Sequence, residues 1–218
     1  MITVHHLDNS RSQRVLWLLE ELNLTYDIKF YKRDQGMLAP PELKAVHPLG
    51  KSPVITDVPG TIAESGAIID YLVSAYGPQL APPVGMPERL RYNYWMYAAE
   101  GSFMQPLVLK LITTEIRKRV PFFIRPIASG IASAIDKRLV DPNIAANAAL
   151  WESALAEFPW FVGETFTAAD IMMSFPLEAA RSRGGLGDKP HIKAWLETIH
   201  ARPAYRRALE RGGAYVYA

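Results

Sequence analysis

Two spacings of apolar residues alternate over the first 76 positions. Thr3 to Leu7 is a short β-prone run. Ser12 to Leu22 carries Val15, Leu16, Leu18, Leu19 and Leu22 at the spacing of one helix face. Tyr26 to Tyr31 alternates Tyr26, Ile28 and Phe30 against Asp27 and Lys29, which predicts a strand. Pro40-Pro41-Glu42-Leu43 can open a short helix, because proline is tolerated in a first turn. Pro53–Thr56 and Thr61–Ile62 read as strands joined by the turn Asp57-Val58-Pro59-Gly60. Ser65 to Tyr76 returns to the helical period, and Gly77 stops it. The expected order is βαβαββα.

After Gly77 the pattern changes. Residues 77–87 hold four prolines and two glycines, the composition of a linker. Beyond them strand patterns vanish. Arg89 to about Lys118 reads as one long helix, broken or bent at Pro106. Further helices are expected at about 122–139, 144–157, 168–182 and 190–200, with a short one after Pro203. This divides the chain into an α/β domain (1–77), a linker (78–87) and an all-α domain (88–218).

Composition narrows the chemistry. The 218 residues carry 24 basic and 22 acidic side chains, so near-neutrality gives no support for a nucleic-acid or membrane-surface role. No run reaches about 18 uninterrupted apolar residues, and the N-terminus lacks a signal-peptide pattern; a cytoplasmic location is the default expectation. There is no cysteine, so any thiol chemistry must use a thiol brought by a ligand. The five histidines are not at metal-ligand spacing, and no metal is expected.

Three loops of the first domain hold the candidate chemistry. Asn9-Ser10-Arg11-Ser12-Gln13-Arg14 joins the first strand to the first helix, where free N–H groups favour an anion. Taken alone, Ser10 is more often simply an N-cap. Gly50-Lys51-Ser52-Pro53-Val54 places a proline at a strand start; held cis, it would turn the Ser52 backbone toward an extended peptide ligand. Glu64-Ser65-Gly66 opens a helix, with a carboxylate for an ammonium group and a hydroxyl and N–H groups for a carboxylate. It reads equally as a plain cap.

The ordered set resembles the cytosolic glutathione transferases, in their serine-type bacterial and fungal forms. The match runs from His5-His6-Leu7 and Asn9–Leu16 through His47–Pro53 and Glu64–Leu72 to Phe166-Thr167-Ala168-Ala169-Asp170-Ile171. The resemblance implies a thioredoxin-like N-terminal domain and a helical domain forming most of an apolar pocket. It implies that Ser10 donates a hydrogen bond to the glutathione sulfur, with Asn9 as rival donor. A free thiol near pKa 8.5 is only a few per cent thiolate at pH 7; lowering it by about two units represents about 2.7 kcal/mol. By the same resemblance Lys51 meets the glycyl carboxylate, Ser52 pairs through its backbone with the cysteinyl part, Pro53 is cis, and Glu64 and Ser65 hold the γ-glutamyl end. Position 52 is often valine in the family, and a backbone contact should tolerate the serine. Thr167 and Asp170 read as a capping box with a folding role.

For the electrophile the candidates are Tyr97, Phe103, Met104 and Phe123, with Tyr94, Ala98, Leu107 and Leu111 beside them on the long helix. In some classes an acid at the place of Glu100 reaches the neighbouring subunit's glutathione. The expected function is transfer of glutathione to a hydrophobic electrophile by a homodimer. Glutathione-dependent peroxide reduction and a non-catalytic binding or assembly module are the alternatives.

Overall fold

The computed structural model describes residues 1–34, 38–183 and 185–218. Strands β1 (Ile2–Leu7), β2 (Tyr26–Tyr31), β3 (Val54–Asp57) and β4 (Gly60–Ala63) form one sheet in the order β2-β1-β3-β4. β1 runs parallel to β2, pairing Ile2 with Tyr26 and Leu7 with Tyr31. β1–β3 and β3–β4 are antiparallel, with His5 opposite Val54 and Val54 opposite Ala63. Helices α1 (Ser12–Glu21), α2 (Glu42–Val46) and α3 (Ser65–Tyr76) complete this half. The other half contains α4 (Pro87–Ala98), α5 (Met104–Arg119), α6 (Arg125–Ile135), α7 (Asp141–Glu157), α8 (Ala168–Ser182), α9 (Pro190–Ala201) and α10 (Pro203–Gly212). Among the described residues no helix is long and apolar enough to cross a membrane.

The expected alternation fails at the end of β2. Tyr31 is buried and Phe30 exposed, because Tyr31 packs with Leu7 and Leu43 in a small satellite core beneath α2. α1 is buried along most of its length, as befits a helix covered on several sides. Trp17 meets Tyr205 of α10 edge-on, with ring centroids 5.2 Å apart. At the far end, Glu20 accepts from Arg207 (2.7 Å) and Arg211 (3.2 Å), and Glu21 accepts from Arg202 (2.6 Å). Burial works against ionisation of Glu20, but its bonds to Arg207, Tyr26 and Arg211 hold it below the usual carboxylate range. One continuous apolar core therefore joins the two halves through α1.

The long helix is irregular earlier than Pro106 suggests. Residues Ala99–Phe103 form a π-helical segment between α4 and α5. Pro106 has no N–H for the carbonyl four residues back, and its ring crowds that carbonyl, so the departure from α geometry falls on the preceding turn. That segment carries Glu100.

α8 shows the same effect with a different remedy. Pro176 lies inside the helix and leaves the Met172 carbonyl without its usual donor. Arg14, buried to 1% side-chain exposure, supplies one from α1 at 2.8 Å.

Candidate functional site

The loop after β1 turns through Asn9, which adopts φ 47°, a left-handed conformation that asparagine tolerates. The Asn9 side-chain oxygen accepts the Val216 N–H at 3.0 Å, tying the loop to the C-terminal tail. Ser10 is buried and its Oγ accepts the Ser12 N–H at 3.3 Å, but it lies one residue before the N-cap position, which Arg11 occupies without a side-chain cap. The same oxygen lies 2.7 Å from Ser12 Oγ and 3.3 Å from Ser52 Oγ. Ser12 Oγ in turn lies 2.8 Å from His6 Nδ1. Burial lowers the His6 pKa, opposed by the Gly212 backbone and by Asp8, so the ring is neutral at pH 7. A neutral ring that donates toward Gly212 leaves Nδ1 to accept from Ser12, so Ser10 supplies the hydrogen of the 2.7 Å Ser10–Ser12 contact and must turn it away from Ser12 to meet a ligand.

The second loop turns at Gly50, at φ 56°, and its Ser52–Pro53 bond is cis. Ser52 is not a passive replacement for valine. Its hydroxyl donates to the His5 carbonyl at 3.2 Å and touches Ser10, which the backbone-only expectation missed. The third loop ends at Glu64, with φ 73° and ψ 127°, a region costly for any residue with a Cβ. No side chain caps α3 there. Ser65 Oγ accepts from Arg14 Nη2 at 3.0 Å, so its own hydrogen remains for another acceptor.

These loops enclose a cavity of about 210 Å³ whose lining includes Lys51, Ser52, Pro53, Glu64 and Ser65. Ser10 and Asn9 are not in the lining; Ser10 lies behind it, reached through Ser52. Five lining residues had no expected role in it: His47, Leu49 and Ala63, and the charged pair Arg11 and Glu100. Arg11 Nε donates to the Glu100 carboxylate at 3.0 Å (Oε1) and 2.9 Å (Oε2), and Arg14 pairs with the same carboxylate. Glu100 thus faces a cavity of its own chain, held there by two arginines of α1 and its entry loop. Lysine, arginine, glutamate and hydroxyl groups on one wall suit a ligand with two carboxylates and one ammonium group.

A second cavity of about 400 Å³ shares Arg11 and Glu100 with the first and adds Met104, Gln105, Val108, Leu109 and Ile112. Of the four expected pocket residues only Met104 lines it. Phe103 is 2% exposed and packs against Trp95 and Trp151 in the core. The π segment accounts for this: a wider turn shifts the helix face by one residue, so Phe103 points inward. Tyr97 (76% exposed) and Phe123 (70% exposed) lie on the outer surface and line neither cavity. Leu107 is buried in the core, and Leu111 is partly exposed outside the cavity.

Away from the cavities, Asp170 is fully buried and accepts from the Phe161 N–H (2.9 Å), the Thr167 N–H (2.9 Å) and the Thr167 hydroxyl (3.2 Å). The capping box at α8 is complete. Burial pushes its carboxyl up to about 6, against the pull of those donors. Among the described residues no group of three or more histidine, aspartate or glutamate side chains could hold a metal.

Two family models match the chain: the glutathione S-transferase N-terminal domain over residues 1–74 and the glutathione S-transferase C-terminal domain over 111–203. Glutathione S-transferase 3 of Schizosaccharomyces pombe is 39% identical, with the alignment covering 97% of this chain and 88% of that one. Glutathione S-transferase 1 of Saccharomyces cerevisiae is 34% identical, covering 98% and 96%. Among solved structures, a glutathione S-transferase from Actinobacillus pleuropneumoniae superposes with a TM-score of 0.77 at 32% identity, covering 99% of this chain and 94% of that one.

Proposed function

The chain belongs to the glutathione S-transferase family and is a glutathione transferase, and from that premise we propose that the polar cavity is its glutathione site, with Ser10 the donor to the sulfur. The carrying observation is convergence: residues from three separate loops meet in one cavity, and the Ser10 hydroxyl lies 3.3 Å from Ser52 Oγ on its wall. Asn9 is the weaker candidate because its side chain is anchored on the C-terminal tail, where its oxygen accepts the Val216 N–H, and not on Ser52 at the cavity wall. Lys51 takes the glycyl carboxylate, the Ser52 backbone the cysteinyl part, and Glu64 and Ser65 the γ-glutamyl ammonium and carboxylate.

A hydrogen bond to the thiolate favours the charged form and lowers the thiol pKa. The neighbouring apolar cavity holds the electrophile beside the sulfur, so the reaction gains from proximity. The charged wall would be idle in a pure assembly module. A homodimer and a cytoplasmic location complete the reading; two-fold pairing is the commonest assembly of soluble oligomers. Calorimetric titration with glutathione tests the site. Saturable binding that weakens in Glu64→Ala is the expected outcome; no heat at millimolar glutathione would overturn the assignment.

A further inference from the structure

A row of three buried side chains runs inward from the cavity wall: Ser10, Ser12 and His6. Ser10 Oγ lies 2.7 Å from Ser12 Oγ, and Ser12 Oγ lies 2.8 Å from His6 Nδ1. The Leu7 carbonyl, 3.4 Å from Ser12 Oγ, is the poorer acceptor. The row ends at the ring. Phe30 of β2 packs edge-on against it, with centroids 5.7 Å apart, and the Gly212 backbone of α10 takes its other nitrogen. Each hydroxyl has one hydrogen to give. With His6 neutral, Nδ1 takes that of Ser12, and Ser12 takes that of Ser10, so the row points inward. Ser52 cannot supply a replacement, because its hydrogen is on the His5 carbonyl at 3.2 Å. If Ser10 alone turned toward a sulfur, two oxygens would face each other at 2.7 Å with no hydrogen between them. The row keeps every contact and aims Ser10 outward only by reversing as a whole. That takes one added proton, entering at Ser10 and ending on His6 Nδ1.

We propose that His6 receives the glutathione thiol proton through Ser10 and Ser12. This rests on the proposed glutathione site. The S–H bond breaks, its electron pair stays on sulfur, and its proton bonds to Ser10 Oγ. The hydrogen that Ser10 held passes to Ser12 Oγ, and the hydrogen that Ser12 held passes to His6 Nδ1. A thiolate that accepts from Ser10 results, with an imidazolium whose two N–H groups meet Ser12 and Gly212. The net charge of the site is unchanged, whereas loss of the proton to water would leave the thiolate uncompensated. Burial opposes the imidazolium, so the ring is neutral in the free protein; Asp8 favours its protonation, and the thiolate adds a second negative charge. Once sulfur has bonded to the electrophile, that attraction is gone and the proton leaves by the same row to water. His6 and Ser12 touch no part of glutathione; they act through Ser10.

A proton count tests this. Glutathione is titrated into the full chain near neutral pH by calorimetry in buffers of different ionisation enthalpy, and thiolate is read by ultraviolet difference under the same conditions. S-methylglutathione, which has no thiol proton, gives the protons exchanged by all other groups. After that subtraction the wild type is expected to release about half as many protons as thiolates formed, or fewer. His6→Asn keeps an oxygen acceptor for Ser12 but cannot hold the proton, and Ser12→Ala cuts the row. Both are expected to release one proton per thiolate and to bind a thiol whose pKa is about one unit higher, a tenfold lower ratio of thiolate to thiol. A His6 that served only the fold would leave the count at its wild-type value in His6→Asn, and that result overturns the proposal. One proton per thiolate in the wild type overturns it too, whether or not the variants fold; both results leave the glutathione site standing. A wild type that binds no glutathione overturns that site, and the proposal with it.

Discussion

Helices α3 and α8 begin in ways that look alike in sequence and are used oppositely. At α8, Thr167 and Asp170 close a capping box, and the carboxylate also reaches the Phe161 N–H. Every donor it meets belongs to the fold. At α3, Glu64 makes no cap, its backbone is held at φ 73°, and Ser65 is braced from behind by Arg14. The helix start is left facing the cavity. A polar residue at a helix N-terminus therefore serves stability when its bonds close within the chain, and binding when a second element holds it while its donors stay open.

The largest effect expected from breaking this contrast is at Asp170. Asp170→Ala strands two buried N–H groups and should cost about 3 kcal/mol in urea unfolding, with little change in turnover per folded molecule. The same carboxyl has a pH signature. Its folded pKa of about 6 exceeds the ordinary 3.8, so the folded state binds the proton more tightly than the unfolded chain. Its contribution is fully present below 3.8 and is lost as pH rises through about 6. Relative to Asp170→Asn, the wild type should lose stability over that window and run parallel above it, as read by denaturation at a series of pH values.

Next in size is Ser10→Ala, which should lower kcat about ten- to a hundredfold while glutathione affinity stays within a few-fold; steady-state kinetics at pH 6.5 would separate the two. Glu64→Ala should do the converse, raising the glutathione Kd about tenfold, or about 1.4 kcal/mol, without loss of melting temperature. Thr167→Ala should cost about 1 kcal/mol and leave binding alone. The smallest and most pointed effect is at Glu64→Gly: it removes the strained Cβ and should raise stability by up to about 1 kcal/mol while weakening glutathione binding. A stability loss there would mean that Glu64 contributes to the fold and the contrast with α8 fails.

Much of this was legible beforehand. β2 and α3 fall on their expected bounds: α3 because its apolar period is clean and Gly77 marks an end, β2 in spite of the break in its alternation at Phe30 and Tyr31. Lys51, Ser52, Pro53, Glu64 and Ser65 were legible as a group only through the ordered resemblance of their segments to the family, since each segment alone reads as a cap or a strand start; the structure lines one cavity with all five. The electrophile pocket was not. Helical spacing treats Phe103 and Met104 alike, and only the π segment decides which faces the core. Arg11 was hidden for a related reason: its role depends on Glu100, 89 residues away, arriving through that same segment. One signal was available and missed. Pro176 inside an otherwise regular helix requires an outside donor for the Met172 carbonyl, and Arg14 is that donor.

The central claim is that Ser10 stabilises a bound thiolate, and ultraviolet titration of the thiolate across pH tests it most directly. With glutathione bound to the wild type, the thiol pKa should fall about two units below the free value near 8.5. In Ser10→Ala it should return most of the way, while Asn9→Ala should stay close to the wild type. A low thiol pKa that persists in Ser10→Ala would contradict the account and move the charge stabilisation to Arg11 or Asn9.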